Sequence, residues 1–496
     1  MHRRTFLWSG TAATFAAAGA ASAAPANAPP MAAVTGGQIR GERKNGLNIF
    51  RGIPYAAPPS GERRWHAPQP VIAWDGLRDA TRFGAVCPQQ EARKEPEKSL
   101  AKVTQDEDCL TLNIWAPEGA KDLPVMVWLH GGSFRFGAGS LALYHGQDLA
   151  PRGAVVVTIN YRLGILGTFA HPALGEGTGS GGNFGLMDQI AALEWVRDNI
   201  AAFGGNPDNV TLFGESAGAV SVGYLLATAK TKGLIHHAIM QSGGLAVPTV
   251  MRDEAEDIGQ DFAQDCGLDR DCSADDLRAL PVADLLKVQL PPAHTMPFAD
   301  GITVEHSLTD GFAHAAPVPL LIGWNTAEAG FFGPRYWQDL PQELGQDRYE
   351  AAKAACYGYG TQSEDAAREQ IASEWFAGIG SRQIARTQAA RAEVYAYRFG
   401  WVPPEAREET PGAIHTAEIP YAFGHIRQDG PSGRISAEMA DDWVAFARDG
   451  SPASRWPAYK TDHPQMQLIN AQTTIGTDPA TELLDVLTAM NLPPKP

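Results

Sequence analysis

Residues 210–221 read VTLFGESAGAVS: an apolar run rich in β-branched side chains, a serine between small residues, then helix formers. This order predicts a strand, a tight turn and a helix, and it matches the G-x-S-x-G nucleophile elbow centred on Ser216. Flanking glycines allow backbones to cross closely, and a serine at a helix N-terminus lies beside N–H groups that can stabilise an oxyanion. Ordinary strand-to-helix loops also contain this pattern. The interpretation therefore depends on partners for Ser216 elsewhere in the chain.

The composition is typical of a folded globular chain with a large core. The chain has 496 residues, of which 44% are hydrophobic and 19% are charged, and its formal net charge is −16. This length permits more than one domain, but large α/β folds also run to this length as one unit. The negative charge, without any Lys/Arg cluster, argues against a nucleic-acid partner. No segment after the N-terminus offers about 18 uninterrupted apolar residues, so we expect no membrane span.

The N-terminus resembles a twin-arginine export signal. Arg3 and Arg4 precede an Ala/Gly-rich apolar stretch that ends at the small residues 21–23. A general secretory signal or an N-terminal anchor is the alternative, although the apolar stretch is short for a span. We predict a signal peptide over residues 1–24, an Ala/Pro linker over 25–33 and a single domain over 34–496. The mature chain is then expected in the periplasm or outside the cell.

Apolar runs predict a sheet that is covered on both faces. The predicted strands are 109–115, 125–129, 154–160, the elbow strand, 237–241, 317–324 and 394–399. Helical spacing of the apolar residues predicts a helix over residues 185–203, between two of these strands. It predicts another over residues 434–449, after the last strand. This alternation predicts a mostly parallel sheet with crossover helices. Two longer helical excursions, 250–286 and 342–390, interrupt the alternation.

The segment His130-Gly131-Gly132-Ser133-Phe134 directly follows the apolar strand 125–129. Successive small residues can turn their backbone N–H groups towards a common point, which a developing tetrahedral oxyanion requires. A plain glycine turn between strand and helix is the alternative interpretation.

A serine nucleophile needs a base to take its proton and a carboxylate to orient that base. In an α/β-hydrolase these follow in the order serine, acid, histidine, each after a strand. Glu328 is the only acid between residues 310 and 339, just after a predicted strand. Beyond it only His415, His425 and His463 remain, and His415 is in the loop after the last predicted strand. His425 and His463 are expected at the surface.

The chain resembles the type B carboxylesterases, the family that includes bacterial para-nitrobenzyl esterases and animal cholinesterases. The resemblance runs from about residue 34 to the end, and its matching segments are 50–59, 107–110, 130–134, 160–167, 183–189, 203–218, 241–243 and 412–424. It implies an α/β-hydrolase fold, with helices on both faces of the sheet and the two helical excursions shaping an active-site gorge.

The resemblance also implies a role for each site residue. These are Ser216 as nucleophile, His415 as base, Glu328 as orienting acid, Gly132, Ser133 and Ala217 as oxyanion-hole donors, and Glu215 and Ser242 as buried polar supports. Glycine is usual in the family at three positions that here read Ser133, Ala329 and Thr416, and Asp is usual where Ala327 stands. No tryptophan lies between Cys87 and Cys109, where cholinesterases carry a choline-binding one. This argues against choline esters as natural substrates.

The five cysteines suit a compartment in which some of them pair, and their spacing does not fit a zinc site. Two pairs and one leftover thiol are expected. The resemblance implies a Cys87–Cys109 disulfide, and Cys266–Cys272 would close a shorter loop. Both bridges are expected to form after export and to lie near the surface. No cofactor and no metal are expected.

We therefore predict a serine carboxylic ester hydrolase that acts on a small-molecule ester through a Ser-His-Glu triad and an acyl-enzyme. An amidase or an acyltransferase on the same triad is an alternative, because pocket shape selects the leaving group and the acceptor. A non-catalytic adhesion protein on this fold is a second alternative, although such relatives lack the serine. The sequence leaves the natural ester and the oligomeric state open.

Overall fold

The computed structural model describes residues 28–492, except 91, 93–96, 176–181, 245–249, 359–362, 409, 411 and 453–455. The predicted signal peptide, residues 1–24, lies outside the described residues, as does the first part of the predicted linker. A strand over Met31–Val34 shows that the end of that segment is not a linker. Ala32 is buried there and pairs with Ile39, which explains why the fold begins before residue 34.

In the described part of the chain, the fold centres on a sheet of eleven strands, with a second sheet of three short strands. The strands are β1 (Met31–Val34), β2 (Gly37–Arg40), β3 (Glu42–Lys44), β4 (Leu47–Pro54), β5 (Leu77–Asp79), β6 (Thr111–Pro117), β7 (Leu123–Leu129), β8 (Val155–Ile159), β9 (Gly205–Glu215), β10 (His237–Gln241), β11 (Leu320–Asn325), β12 (Val394–Phe399), β13 (Gln465–Ile469) and β14 (Thr474–Thr477). The large sheet has the order β14-β13-β12-β11-β10-β9-β7-β8-β6-β4-β3, and the small one β1-β2-β5.

The centre of the large sheet is parallel. All neighbouring pairs from β13 across to β8 run parallel, whereas β14 at one end and β6, β4 and β3 at the other pair antiparallel. The carboxyl ends of β9, β10, β11 and β12 therefore meet along one edge, where open α/β sheets place their ligand sites. The prediction of a mostly parallel sheet is confirmed.

Helices fill the connections between the strands. They are α1 (Gly164–Gly167), α2 (Pro172–Gly175), α3 (Phe184–Asn199), α4 (Ala217–Ala227), α5 (Arg252–Asp265), α6 (Ala274–Ala279), α7 (Val282–Leu285), α8 (Leu308–Gly311), α9 (Leu340–Leu344), α10 (Gln346–Gly358), α11 (Glu364–Ser373), α12 (Ile379–Ala389), α13 (Ile419–Ala422), α14 (Pro431–Asp449) and α15 (Thr481–Ala489). The predicted excursions correspond to α5–α7 and α9–α12. Within the described residues, every helix is too short or too polar to cross a lipid bilayer.

Strand β7 shows why its sequence is apolar throughout. Val125 and Val127 pack into a core that includes side chains of α3 and α4, whereas Met126 and Trp128 pack into a core that includes α14. Successive side chains of a strand point to opposite faces, so a sheet covered on both faces needs apolar residues at every position. Helices on both faces, as predicted, follow from this pattern.

The two predicted disulfide bridges are not formed, which corrects the expectation for Cys87, Cys109, Cys266 and Cys272. All five cysteines are free thiols. Cys87 and Cys109 are buried in the core instead of lying near the surface. The hydrogen bond that the Cys109 thiol donates to Cys87, together with burial, raises the pKa of Cys109 well above its usual value, and burial raises the pKa of Cys266 to about 11. Such pKa values disfavour the thiolate that oxidation requires.

Candidate active site

Ser216 occupies a sharp turn between β9 and α4. Its backbone has φ 55° and ψ −125°, a conformation that non-glycine residues rarely adopt and that marks stored strain. A Cβ on Gly218 would lie 2.0 Å from the carbonyl oxygen of Leu129, and one on Gly214 would lie 2.6 Å from the carbonyl carbon of Gly218. Both positions of the motif therefore require glycine for steric reasons, as the elbow interpretation predicts.

Glu328 and His415 lie together on loops that follow the neighbouring strands β11 and β12. Oε2 of Glu328 is 2.6 Å from Nδ1 of His415. Oε1 of Glu328 accepts hydrogen bonds of 2.6 Å from the Ser242 hydroxyl and from the Asn325 backbone N–H. The carboxylate is fully buried, so these contacts fix its orientation. An acceptor at Nδ1 keeps the proton on that nitrogen and leaves Nε2 as the basic one.

The second nitrogen of His415 contacts Glu215, the residue before the serine. Nε2 lies 3.1 Å from Oε1 of Glu215, whose side chain is buried. Among the described residues, no hydrogen bond joins His415 to Ser216. The structure therefore brings acid and base together beside the elbow, but it does not join base to serine. Such catalytic hydrogen bonds often form only when substrate is bound.

The charge of His415 is controlled by its buried carboxylate neighbours. Burial alone lowers the pKa of this ring, but the nearby carboxylates, with Glu215 acting most strongly, raise it overall from 6.5 to about 9. Glu328 and Glu418 act in the same direction. A protonated ring is thus favoured at neutral pH in the absence of substrate.

The loop after β7 packs against the elbow. A Cβ on Gly131 would lie 3.1 Å from Cβ of Ser216, and one on Gly132 would lie 2.2 Å from the carbonyl oxygen of Phe136. Gly132 has φ 107° and Ser133 φ 56°, so consecutive residues adopt the left-handed region. No hydrogen bond between described residues uses the backbone N–H of Gly132, Ser133 or Ala217. These three donors are available to a ligand.

The structure adds Glu418, which sequence reasoning missed. Its carboxylate accepts hydrogen bonds from Gln241 Nε2 at 3.0 Å and from Asn325 Nδ2 at 2.6 Å. The side chain is fully buried, and this burial raises the pKa of Glu418. Its position three residues after His415 is the only sign of it in the sequence, since its partners come from β10 and β11.

A second missed acid, Glu369 on α11, braces the turn that carries Glu328. The Ser373 hydroxyl donates to Oε1 of Glu369 at 2.6 Å and accepts from the backbone N–H of Ala329 at 2.9 Å. Burial raises the pKa of Glu369 to about 7. The backbone next to Glu328 is thereby tied to a helix of the second excursion.

Aromatic side chains surround the base. The ring centroids of Phe331, Phe332 and Phe376 lie 5.7, 6.1 and 5.5 Å from that of His415. Phe332 is 38% exposed, so this apolar surface reaches solvent. An apolar part of a ligand could pack here.

Ala329 and Thr416 both stand where the family usually has glycine, but their backbone conformations differ. Ala329 is not among the described residues with positive φ, so it needs no glycine. Thr416 does have a positive φ of 74°, where the family usually has glycine. The loop after His415 therefore holds a side chain in a backbone conformation that glycine adopts with less strain.

The architecture defines the class of protein. A mostly parallel sheet carries a serine on the turn after β9, an acid after β11 and a histidine after β12, which is the arrangement of an α/β-hydrolase.

The family follows from similarity along the whole chain. The family model described as "Carboxylesterase family" matches residues 28–486. The para-nitrobenzyl esterase of Bacillus subtilis is 36% identical over 90% of this chain and 96% of that protein, and the fumonisin B1 esterase of Sphingopyxis macrogoltabida is 35% identical over 84% and 82%. The chain belongs to the carboxylesterase family.

Solved structures agree with this similarity. A PNB esterase structure superposes with a TM-score of 0.81 at 34% identity, covering 93% of this chain and 99% of the other. A Geobacillus stearothermophilus carboxylesterase superposes with a TM-score of 0.78 at 32% identity, covering 92% and 99%. The protein is a carboxylic ester hydrolase, which favours the enzyme over the adhesion-type alternative.

Proposed function

We propose that the enzyme hydrolyses small-molecule esters through Ser216, His415 and Glu328 with a covalent acyl-enzyme. The observation that carries this proposal is the 2.6 Å contact between Glu328 Oε2 and His415 Nδ1, on adjacent strand ends beside the strained serine. A carboxylate in this position holds the ring in the tautomer that a general base needs and stabilises the imidazolium that forms.

In this mechanism Oγ of Ser216 attacks the ester carbonyl while Nε2 of His415 takes its proton. The N–H groups of Gly132, Ser133 and Ala217 stabilise the tetrahedral oxyanion. His415 then protonates the departing alcohol, which leaves the acyl group on the serine. Water, deprotonated by the same nitrogen, attacks the acyl-enzyme and releases the acid.

The first step requires His415 to exchange its contact with Glu215 for one with Ser216. Glu215 and Ser216 are adjacent in the chain, so the exchange takes the ring from one residue to its neighbour. Substrate in the site would favour this exchange, because it removes water and orders the serine.

The test is hydrolysis of p-nitrophenyl esters by Ser216→Ala, His415→Ala and Glu328→Gln. We expect the first two to lose turnover almost fully and non-additively, and Glu328→Gln to lose less, since nucleophile and base act as one unit. A fluorophosphonate should label the wild type and not Ser216→Ala. Ser60→Ala, in a loop without a capping hydrogen bond, is the matched control. Substantial turnover by Ser216→Ala would refute the assignment.

The substrate range is best approached with a panel of increasing acyl length. Relatives are named for para-nitrobenzyl esters, fumonisin B1 and cocaine, so esters of different bulk are represented among them. Parallel assays with matched p-nitroanilides and with an added alcohol acceptor separate ester hydrolysis from amidase and acyltransferase activity.

We also propose that the enzyme is exported by the twin-arginine route to the periplasm or beyond. Arg3 and Arg4, followed by a mildly apolar stretch and a small-residue cleavage site, support this proposal. Replacing both arginines with lysine should retain the precursor in the cytoplasm, as measured by fractionation. Undiminished export of that variant would favour the general secretory route.

A further inference from the structure

Arg135 lies in the same turn as the oxyanion donors. Its backbone N–H donates to the carbonyl oxygen of Gly132 at 2.9 Å, and the N–H of Phe136 donates to the same oxygen. Gly131, four residues earlier, packs against Ser216. Four residues span at most about 14 Å when extended, and the turn makes the distance shorter. The backbone of Arg135 is therefore close to the reacting centre.

The guanidinium of Arg135 lacks an acidic partner within the part of the chain that the structure describes. Its polar contact is the Gln90 side-chain oxygen at 3.1 Å, and it also lies over the Phe136 ring at 5.6 Å. Buried arginines elsewhere are paired, as in Arg162 with Asp188. The contrast is informative because the chain carries 56 acids against 40 Lys and Arg residues.

The side chain of Arg135 borders a small cavity of about 40 Å³. Most of its other lining is apolar and comes from the first helical excursion and from α1, including Ile165, Phe262, Leu286 and Leu290. Among the described residues that line it, none is acidic. The guanidinium is half-buried, and this burial lowers the pKa of Arg135. A cation in an apolar cavity without a counter-charge is best stabilised by an anionic ligand.

We propose that Arg135 binds a free carboxylate of the substrate, so that the enzyme prefers esters whose acyl or alcohol part carries a second, ionised carboxyl group. This inference rests on the proposed ester hydrolysis. The planar guanidinium matches a carboxylate through two parallel N–H···O bonds. The net charge of −16 repels anions at long range, so a preference for anionic esters requires a local cation.

The test compares esters matched in size but not in charge. In the acyl arm these are the mono-p-nitrophenyl ester of glutaric acid and p-nitrophenyl valerate. In the alcohol arm these are 4-acetoxybenzoate and 4-methylphenyl acetate. We expect the wild type to show the higher kcat/KM for the anionic ester in at least one arm. That arm shows whether Arg135 binds a carboxylate on the acyl part or on the alcohol part of the substrate.

Variants of Arg135 separate recognition from a structural role. Arg135→Gln should lower kcat/KM for the preferred anionic ester by about tenfold or more, mainly through KM, because a charge-assisted bond is lost. It should change kcat/KM for the neutral ester less than about twofold. Arg135→Lys should retain part of the preference. Arg51→Gln, which also removes a partly buried cation but one paired with Glu42, should leave the ratio unchanged.

Three outcomes are decisive. Equal losses on anionic and neutral esters in Arg135→Gln would show that the arginine only supports the loop, and the proposal would fail. Equal kcat/KM for both members of each pair in the wild type would also overturn it. If the wild type hydrolysed none of the four esters, the proposed esterase function itself would fail, which is a separate result.

Discussion

At the scale of single residues, Ser133 combines a proposed catalytic N–H with an unfavourable backbone. Its φ of 56° is in the left-handed region, where a side chain costs about 1–2 kcal/mol and glycine costs nothing comparable. We therefore expect Ser133→Gly to raise the melting temperature slightly and to keep kcat within about tenfold, since only the N–H is used. Losing a true oxyanion donor costs ~10²–10³ in kcat, so Ser133→Pro should be far worse.

Ser133→Ala is the control for this pair, because it keeps both the N–H and the left-handed strain. Differential scanning fluorimetry and initial rates measure both effects. Equally mild losses in Ser133→Gly and Ser133→Pro would place the oxyanion hole elsewhere.

The carboxylates around His415 give a second prediction at this scale. A general base must be neutral, and Glu215 helps to raise the pKa of His415 to about 9. The rate constant kcat/KM should therefore rise with pH and level off only above about pH 9. Replacing Glu215 with glutamine removes the strongest of the raising charges, so the midpoint should move to lower pH.

The measurement is the pH profile of kcat/KM for a neutral ester between pH 6 and pH 10. Glu305→Gln, at an exposed acid, controls for the change in net charge. A midpoint that does not move in Glu215→Gln would mean that this carboxylate does not set the charge of the base.

The proposed triad residues were selected from the sequence, whereas the buried acids beside them were not. Glu328 stands alone between two distant acids, and His415 is the histidine that follows a strand, so order along the chain selected both. Glu418 and Glu369 resemble ordinary surface acids in the sequence. Glu418 accepts a hydrogen bond from Gln241, in a distant segment, whereas Glu369 accepts one from Ser373 on its own helix. Neither acid shows its burial in the sequence.

At the scale of elements, Glu369 on α11 is linked through the Ser373 hydroxyl to the backbone of Ala329, in the turn after β11. This link should make the free energy of unfolding depend on pH. Burial raises the pKa of Glu369 from 4.5 to about 7, so the folded state holds a proton there that the unfolded state has released. Stability contributed by this group is therefore lost as pH rises from about 4.5 to about 7.

Glu369→Gln keeps an acceptor for Ser373 without a charge. We expect it to stabilise the enzyme by on the order of 1 kcal/mol or more at pH 8, and to have much less effect at pH 5. Melting curves at both pH values measure this, with Ser373→Ala as a control that removes the brace itself. Stabilisation that is the same at pH 5 and pH 8 would contradict the assigned ionisation.

The elements that the sequence predicted are those buried on both faces. Strands β7 to β12 contain apolar runs because helices cover both faces of the sheet there. The existence of these strands and their order along the chain were confirmed. The short edge strands were missed. β5 (Leu77–Asp79) is exposed at every position, and β3 (Glu42–Lys44) consists of charged residues, so neither shows a hydrophobic pattern. Their pairing comes from neighbouring strands that sequence periodicity does not reveal.

At the scale of the whole molecule, free thiols predict insensitivity to reductant. Since all five cysteines are unpaired, dithiothreitol should change neither the melting temperature nor kcat. Cys109→Ser should destabilise by about 1–3 kcal/mol, because a hydroxyl replaces a fully buried thiol. Cys266→Ser, at a partly exposed position, is the control. A melting temperature that falls on reduction would reveal a bridge in the purified protein.

The proposed catalytic groups follow strands that the ribosome synthesises at very different times. Ser216 follows β9, but His415 follows β12, and translation at about 5–20 residues per second separates them by about 10–40 s. Under the proposed triad, a nascent chain with a finished elbow still lacks its base, and a transcript truncated before β12 encodes no active esterase. We therefore expect hydrolytic activity only from chains that are nearly complete.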